Sequence, residues 1–189
     1  MKKLRFTKIR IPVLPVILFL VLITATYGMG IWIKNMQTAK QNHQVFRGNI
    51  ENLYYYLKKE PKNFEMYAVL NQGDSVALSV WHNYLSTSDD IVKKYEKQLT
   101  DMAKGILIEE KDGAKKETVY PSSHYKEYVL LDPMKKALDL FKEIRFLNEA
   151  RIEMKKDFSE KTYQDKKKEL VEMLAKMVEE AKKVNLDLR

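Results

Sequence analysis

The chain has 189 residues, 34 Lys and Arg against 26 Asp and Glu, and no cysteine. That excludes a multidomain enzyme, a disulfide-stapled secreted module, a thiolate metal site and an anchor built on an acylated cysteine. The excess of base is concentrated at one end. Lys2, Lys3, Arg5, Lys8 and Arg10 occupy the first ten residues without an acid, and the remaining bases nearly balance the acids. A nucleic-acid-binding domain gathers its bases on one face. Here they flank an apolar stretch instead, so no nucleic-acid partner is expected.

That stretch, residues 11–33, carries no charge. A helix needs about 20 apolar residues to cross roughly 30 Å of hydrocarbon. The sequence therefore predicts a cytoplasmic basic tail over 1–10 and a transmembrane helix over 11–33. Pro12 and Pro15 fall near its start, where a missing backbone donor does least harm. Tyr27, Trp32 and Lys34 suit the membrane interface. Thr24 with Gly28, and Thr26 with Gly30, are small residues four apart that suit close packing of a second transmembrane helix. Five bases before the span and Lys34, Lys40 and Arg47 after it favour a cytoplasmic N-terminus. Those last three bases would also attract anionic headgroups. The competing reading is a signal peptide cut near Gly28 or Gly30, but the apolar run exceeds the usual core of about 7–15 residues.

The span runs into a stalk, predicted as a helix over 34–60. Met36, Ala39, His43, Phe46, Ile50, Leu53 and Leu57 alternate by three and four, the spacing of a coiled-coil seam. Glu60-Pro61 is expected to end it, because the residue before proline leaves the helical region. A seam of this kind should be covered by the chain's own helices, by a second copy or by another subunit.

Residues 61–189 read as a helical domain. A short helix starts at Asn63, and another begins at Asp74 or Ser75. Ser86 to Asp90 reads as a loop in which Ser88 caps the next helix. Gly105 suits that helix's C-terminal cap. Apolar runs around Lys111-Asp112-Gly113 suggest a β-hairpin over 106–120, the alternative being a charged excursion with little order. Tyr128 to Leu131 suggests one more short strand. Asp132-Pro133 and Ser159 then open the two arms of an antiparallel helical hairpin over 133–188. The expected fold class is mainly all-α.

Chemistry is hard to find. His43, His82 and His124 never share a helix turn, so no metal site is expected. Gly73-Asp74-Ser75 lacks the second glycine of a nucleophile elbow, and there is no phosphate loop or dinucleotide fingerprint. No catalytic residue and no cofactor is assigned, and the chain is expected not to be an enzyme. Aromatics are the notable excess. Tyr54, Tyr55 and Tyr56 lie about 100° apart around a helix, so one of them must leave the core. Trp81 and Tyr84 share a face. The aromatic rings read first as packing for the domain's own core; as the functional alternative they are, together with Met36, His43, Phe46, Ile50, Leu53, Tyr54, Tyr55 and Leu57, the candidate partner contacts, tyrosine and tryptophan being favoured interface anchors.

The leading expectation is a single-pass accessory or scaffold subunit of a larger membrane complex, such as an envelope secretion, motility or respiratory assembly. Its partners would be other subunits and the lipid bilayer, with a homo-oligomer through the stalk as one arrangement. The alternative is an extracytoplasmic sensor or ligand-binding domain that signals through a membrane partner. The layout resembles single-pass proteins with coiled-coil stalks attached to bacterial secretion and flagellar machines, in topology alone. That favours a bacterial inner membrane with the bulk periplasmic, and the mitochondrial inner membrane as the runner-up.

Overall fold

The computed structural model describes residues 13–70, 75–111, 114–153 and 159–188. It is nearly all helical. Four long helices are α1 (Val13–Leu70), α2 (Ser75–Lys104), α3 (Leu131–Glu153) and α4 (Glu160–Lys183). Between α2 and α3 lie two strands, β1 (Ile106–Lys111) and β2 (Ala114–Val119), and two 3-10 turns at Ser122–His124 and Lys126–Leu130. The chain divides into two units, Met1–Gln41 and Asn42–Arg189, with α1 contributing to both. The basic tail over 1–10 and the Asp112-Gly113 turn lie outside the described residues.

In the first unit, α1 is an apolar helix with every described side chain exposed from Leu18 to Gln41. It is the one helix among the described residues long and apolar enough to cross a membrane.

The second unit is a four-helix domain whose directions follow from its cross-contacts. Along α1, Asn52, Tyr56, Glu60 and Phe64 meet Tyr95, Ser88, Tyr84 and Trp81 of α2 in falling order, so the two helices are antiparallel. Glu96 and Asp89 of α2 meet Lys142 and Arg145 of α3, again antiparallel. Arg47 and Glu65 of α1 meet Asn185 and Lys167, which sets α4 antiparallel to α1 and hence to α3.

Heptad spacing explains the core. On α4, Tyr163, Leu170, Leu174, Met177 and Ala181 are all buried, and Lys167 in the same seam pairs with Glu65. On α1, Phe46, Ile50, Leu53 and Leu57 are buried, as are Ala137, Leu138, Leu140, Phe141 and Ile144 on α3. Each of the larger aliphatic and phenylalanine side chains contributes about 1.5–3 kcal/mol by leaving water. Ser159 caps α4, its Oγ accepting from the Thr162 N–H at 3.3 Å. The C-terminal end turns through Asn185 at φ +59°, with Leu186 N–H donating to the Ala181 carbonyl at 2.9 Å and Asn185 N–H to Lys182 at 3.1 Å. This closes the helix as a Schellman turn and folds Leu186 and Leu188 into the core.

Three boundaries differ from those the sequence predicts. The helix does not end at Glu60. It passes through Pro61 to Leu70 and absorbs the short helix expected at Asn63. Proline forfeits one backbone bond, yet Leu57, Glu60 and Phe64 on both sides of it are buried against the other helices and hold the run together. Nor do Ser86 to Asp90 form a loop, because α2 is continuous there. The residues that suggest a cap are used elsewhere. Ser88 is buried with its Oγ 3.2 Å from the Tyr56 hydroxyl, Thr87 bonds back to the Asn83 carbonyl, and Asp89 pairs with Arg145 at 2.5 Å.

The third difference is at Tyr128 to Leu131, where a 3-10 turn runs into α3 in place of a strand. Leu130 and Leu131 are both buried. A strand alternates its faces and could not bury two consecutive side chains against one layer.

The strands themselves pair antiparallel, from Ile106 opposite Val119 to Lys111 opposite Ala114. The ladder extends one step to Gly105, whose carbonyl accepts from Tyr120 N–H at 2.8 Å. Gly105 sits at φ +73°, and a Cβ there would lie 2.3 Å from the Tyr120 carbonyl oxygen. Only glycine ends α2 and enters the hairpin at that point.

Candidate functional site

The described residues that the sequence assigns to a membrane segment, from Leu18 to Ile33, are at the surface of α1. The Thr24 hydroxyl donates to the Leu20 and Val21 carbonyls, and that of Thr26 to Leu22 and Ile23, at 2.9–3.0 Å. Their polar groups are thus satisfied within the helix, which a lipid environment requires. A Cβ at Gly28 or Gly30 would meet nothing within 4 Å. Tyr27, Trp32, Lys34 and Met36 are exposed.

From Asn42 onward the stalk candidates have a different fate. Phe46, Ile50, Leu53 and Leu57 lie in the core of the chain's own domain, so from Phe46 on this seam is covered from within. Trp81 is wholly buried against Phe64, their ring centroids 5.2 Å apart. Tyr84 is half-buried and its hydroxyl donates to Glu60. These residues are therefore structural in the folded domain, and a stalk dimer through them would require the bundle to open. The tyrosine run divides as helix geometry demands. Tyr54 is buried, Tyr56 is half-buried against Tyr95 and Phe141, and Tyr55 is 38% exposed.

His43 anchors a polar cluster that the spacing rules do not reveal. Its Nε2 lies 2.9 Å from Glu127 Oε2, and Arg47 Nε lies 3.5 Å from Glu127 Oε1. The Glu127 side chain is only 3% exposed, so the His43 ring and the Arg47 guanidinium on α1 both serve a buried carboxylate. The His43 ring stacks on Tyr125 at 4.5 Å, and Tyr125 stacks on Tyr120 at 5.6 Å. Arg47 also donates to the Asn185 carbonyl at 2.7 Å. One arginine and one histidine, a helical turn apart, thus tie α1 to the second 3-10 turn and to the end of α4. In the sequence, Glu127 is one acid in a stretch expected as loop or strand. Its flanking tyrosines, Tyr125 and Tyr128, were the available signal.

A second cluster lies between α2 and α3. Arg145, on the buried side of α3, reaches Asp89, Glu149 at 3.0 Å and the Leu85 carbonyl at 3.1 Å. Both clusters do the same thing chemically, neutralising a buried charge with partners from neighbouring elements. Among the described residues, no group of three or more His, Asp or Glu side chains is arranged to hold a metal ion.

Among the described residues, burial pushes up the pKa of five tyrosines. Tyr56 is pushed up to about 12, chiefly by desolvation, partly offset by its bond to Ser88. Tyr54, Tyr95, Tyr120 and Tyr125 are raised for the same leading reason, Tyr125 also by the charge of Glu127. Each keeps its proton longer when folded than when unfolded. The associated stability is complete below about pH 10 and is lost as pH rises through the folded values. A titration at 295 nm is expected to show a late tyrosinate fraction near pH 12 in the folded chain. Denaturant midpoints should fall between about pH 10 and 12. A single transition near pH 10 with unchanged midpoints would contradict the burial of these rings.

Compared with known proteins, the chain matches no family model, no curated protein and no solved structure.

Proposed function

We propose that this chain is a single-pass accessory or scaffold subunit of a larger membrane complex, acting through helix–helix contacts. One observation carries the reading. A single helix, α1, bears an exposed apolar run and then, from Phe46, supplies the centre of a packed helical domain. An exposed apolar surface of that size needs a bilayer or a partner. The basic N-terminus supports a cytoplasmic tail, with the domain on the far side of a bacterial inner membrane. An envelope secretion, motility or respiratory assembly is the kind of complex that fits.

The absence of cysteine makes the topology directly testable. Lys3→Cys and Lys176→Cys, each alone, would be labelled with a membrane-impermeant maleimide in intact spheroplasts. Labelling at residue 176 without labelling at residue 3 is expected, and the reverse pattern would overturn the orientation. Size after extraction in a mild non-ionic detergent tests the assembly. Migration well above one chain plus micelle is expected. Migration as a lone monomer, or as a soluble fragment trimmed near Gly30, would overturn the reading.

A further inference from the structure

We propose that the outward face of α1 from Tyr55 to Asn63 docks an acidic segment of a protein partner, an inference that rests on the accessory-subunit reading. Tyr55, Lys58, Lys59, Lys62 and Asn63 line a shallow groove of about 300 Å³. The three lysines are exposed, and among the described residues none has an ion-pair partner.

The reason lies in where the neighbouring acids point. Glu60 is buried, accepting from the Tyr84 hydroxyl and from Asn63 Nδ2 at 3.1 Å. Glu65 accepts from the Tyr163 hydroxyl at 3.2 Å and from Lys167. Glu60 is turned to α2 and Glu65 to α4, which among the described residues leaves the three lysines without an ion-pair partner on one face. Like charges at this spacing disfavour the helix by a few tenths of a kcal/mol each. An acidic partner would relieve that repulsion.

The groove also holds a fixed aromatic. The Tyr55 ring lies 5.8 Å from that of buried Tyr54, and Lys58 Nζ sits 5.7 Å from the Tyr54 ring centroid. A partly exposed tyrosine on a helix, sharing its groove with three lysines, is an interface anchor with little ordering cost. The groove is too open to enclose a small molecule, whose pockets bury about 70–90% of its surface. Three charges are also too few to track a phosphate backbone, which needs a longer basic strip. An acidic stretch of polypeptide fits both the charge and the shape.

The test uses the full chain in dodecyl maltoside and a fluorescent oligoglutamate peptide as probe, followed by anisotropy. Binding that weakens with added salt is expected. The combined variant Lys58→Glu, Lys59→Glu, Lys62→Glu should weaken it at least about tenfold, and Tyr55→Ser a few-fold. Lys135→Glu with Lys136→Glu, two exposed lysines of α3, should leave it unchanged. Equal loss in both variants, or no binding by the unsubstituted chain, would overturn the inference. So would tighter, Lys58- and Lys62-dependent binding to an oligonucleotide or to phosphatidylglycerol vesicles. Circular dichroism of the triple variant checks that it folds, and Tyr55→Ser supplies the answer if it does not. Failure here is separable from failure of the wider reading. A large assembly in detergent that the triple variant leaves intact removes this surface and keeps the subunit, whereas a lone monomer removes the subunit itself.

Discussion

Trp81→Ala is expected to lower the unfolding free energy by about 3–5 kcal/mol, among the largest effects of any single truncation in the domain. The indole is fully buried. It meets Phe64 edge-on, at an interplanar angle of 79°, and lies 6.1 Å from the Tyr84 ring. Phe64 in turn reaches Phe141 at 6.4 Å, so one ring sits where α1, α2 and α3 converge. Among the described residues, the indole Nε1 has no hydrogen-bond partner. The cost is therefore cavity and lost transfer energy, with no bond broken. Urea denaturation of the full chain in detergent, followed at 222 nm, measures it. Phe146→Ala is the control, since that ring is 65% exposed and its loss should cost under about 1 kcal/mol. If Trp81→Ala cost no more than Phe146→Ala, the tryptophan would belong to a surface, as the partner-contact reading of Trp81 and Tyr84 requires.

Trp81 shows what periodicity can and cannot reveal. The seams on α3 and α4 are legible because heptad spacing states which residues share a face. The α1 seam from Phe46 to Leu57 is equally legible as a surface needing cover, but the pattern is silent on what covers it. The cover is α2, α3 and α4, whose relevant side chains lie from tens of residues to over a hundred residues away. Local stop signals fail for the same cause. Pro61 and the Ser86–Asp90 run each argue for a break worth a few kcal/mol at most. Burial of Leu57, Phe64, Trp81 and Val92 on either side outweighs it. Ser88 has the chemistry of a cap, yet its hydroxyl meets Tyr56 from another helix. The polar clusters were least legible. His43 and Arg47 lie on α1 and Glu127 some eighty residues later in a 3-10 turn, and nothing in the spacing of charges marks the carboxylate that folding brings to them out of water.

That carboxylate sets the second large effect. Arg47→Glu is expected to destabilise the domain by about 3 kcal/mol, because it replaces the arginine counter-charge of a buried carboxylate with another anion. Arg47 is itself 35% exposed, so water screens part of the repulsion and keeps the figure at the low end. The same substitution also removes the donor to the Asn185 carbonyl and so loosens the turn that closes α4. Arg47→Gln separates the two contributions. Glutamine can still donate to either oxygen acceptor, and its loss should be nearer 1–2 kcal/mol. Combining Arg47→Gln with Glu127→Gln should cost less than the two singles summed, since no charge is then left buried without a partner. Raising salt should change the Arg47→Glu deficit little, because a carboxylate this buried is poorly screened. By contrast, Lys182 and Glu179 form an exposed pair at 2.7 Å whose loss should be small and salt-sensitive. Additive costs at positions 47 and 127, measured by the same denaturation, would mean that Arg47 holds the C-terminal turn and Glu127 relies on His43 alone.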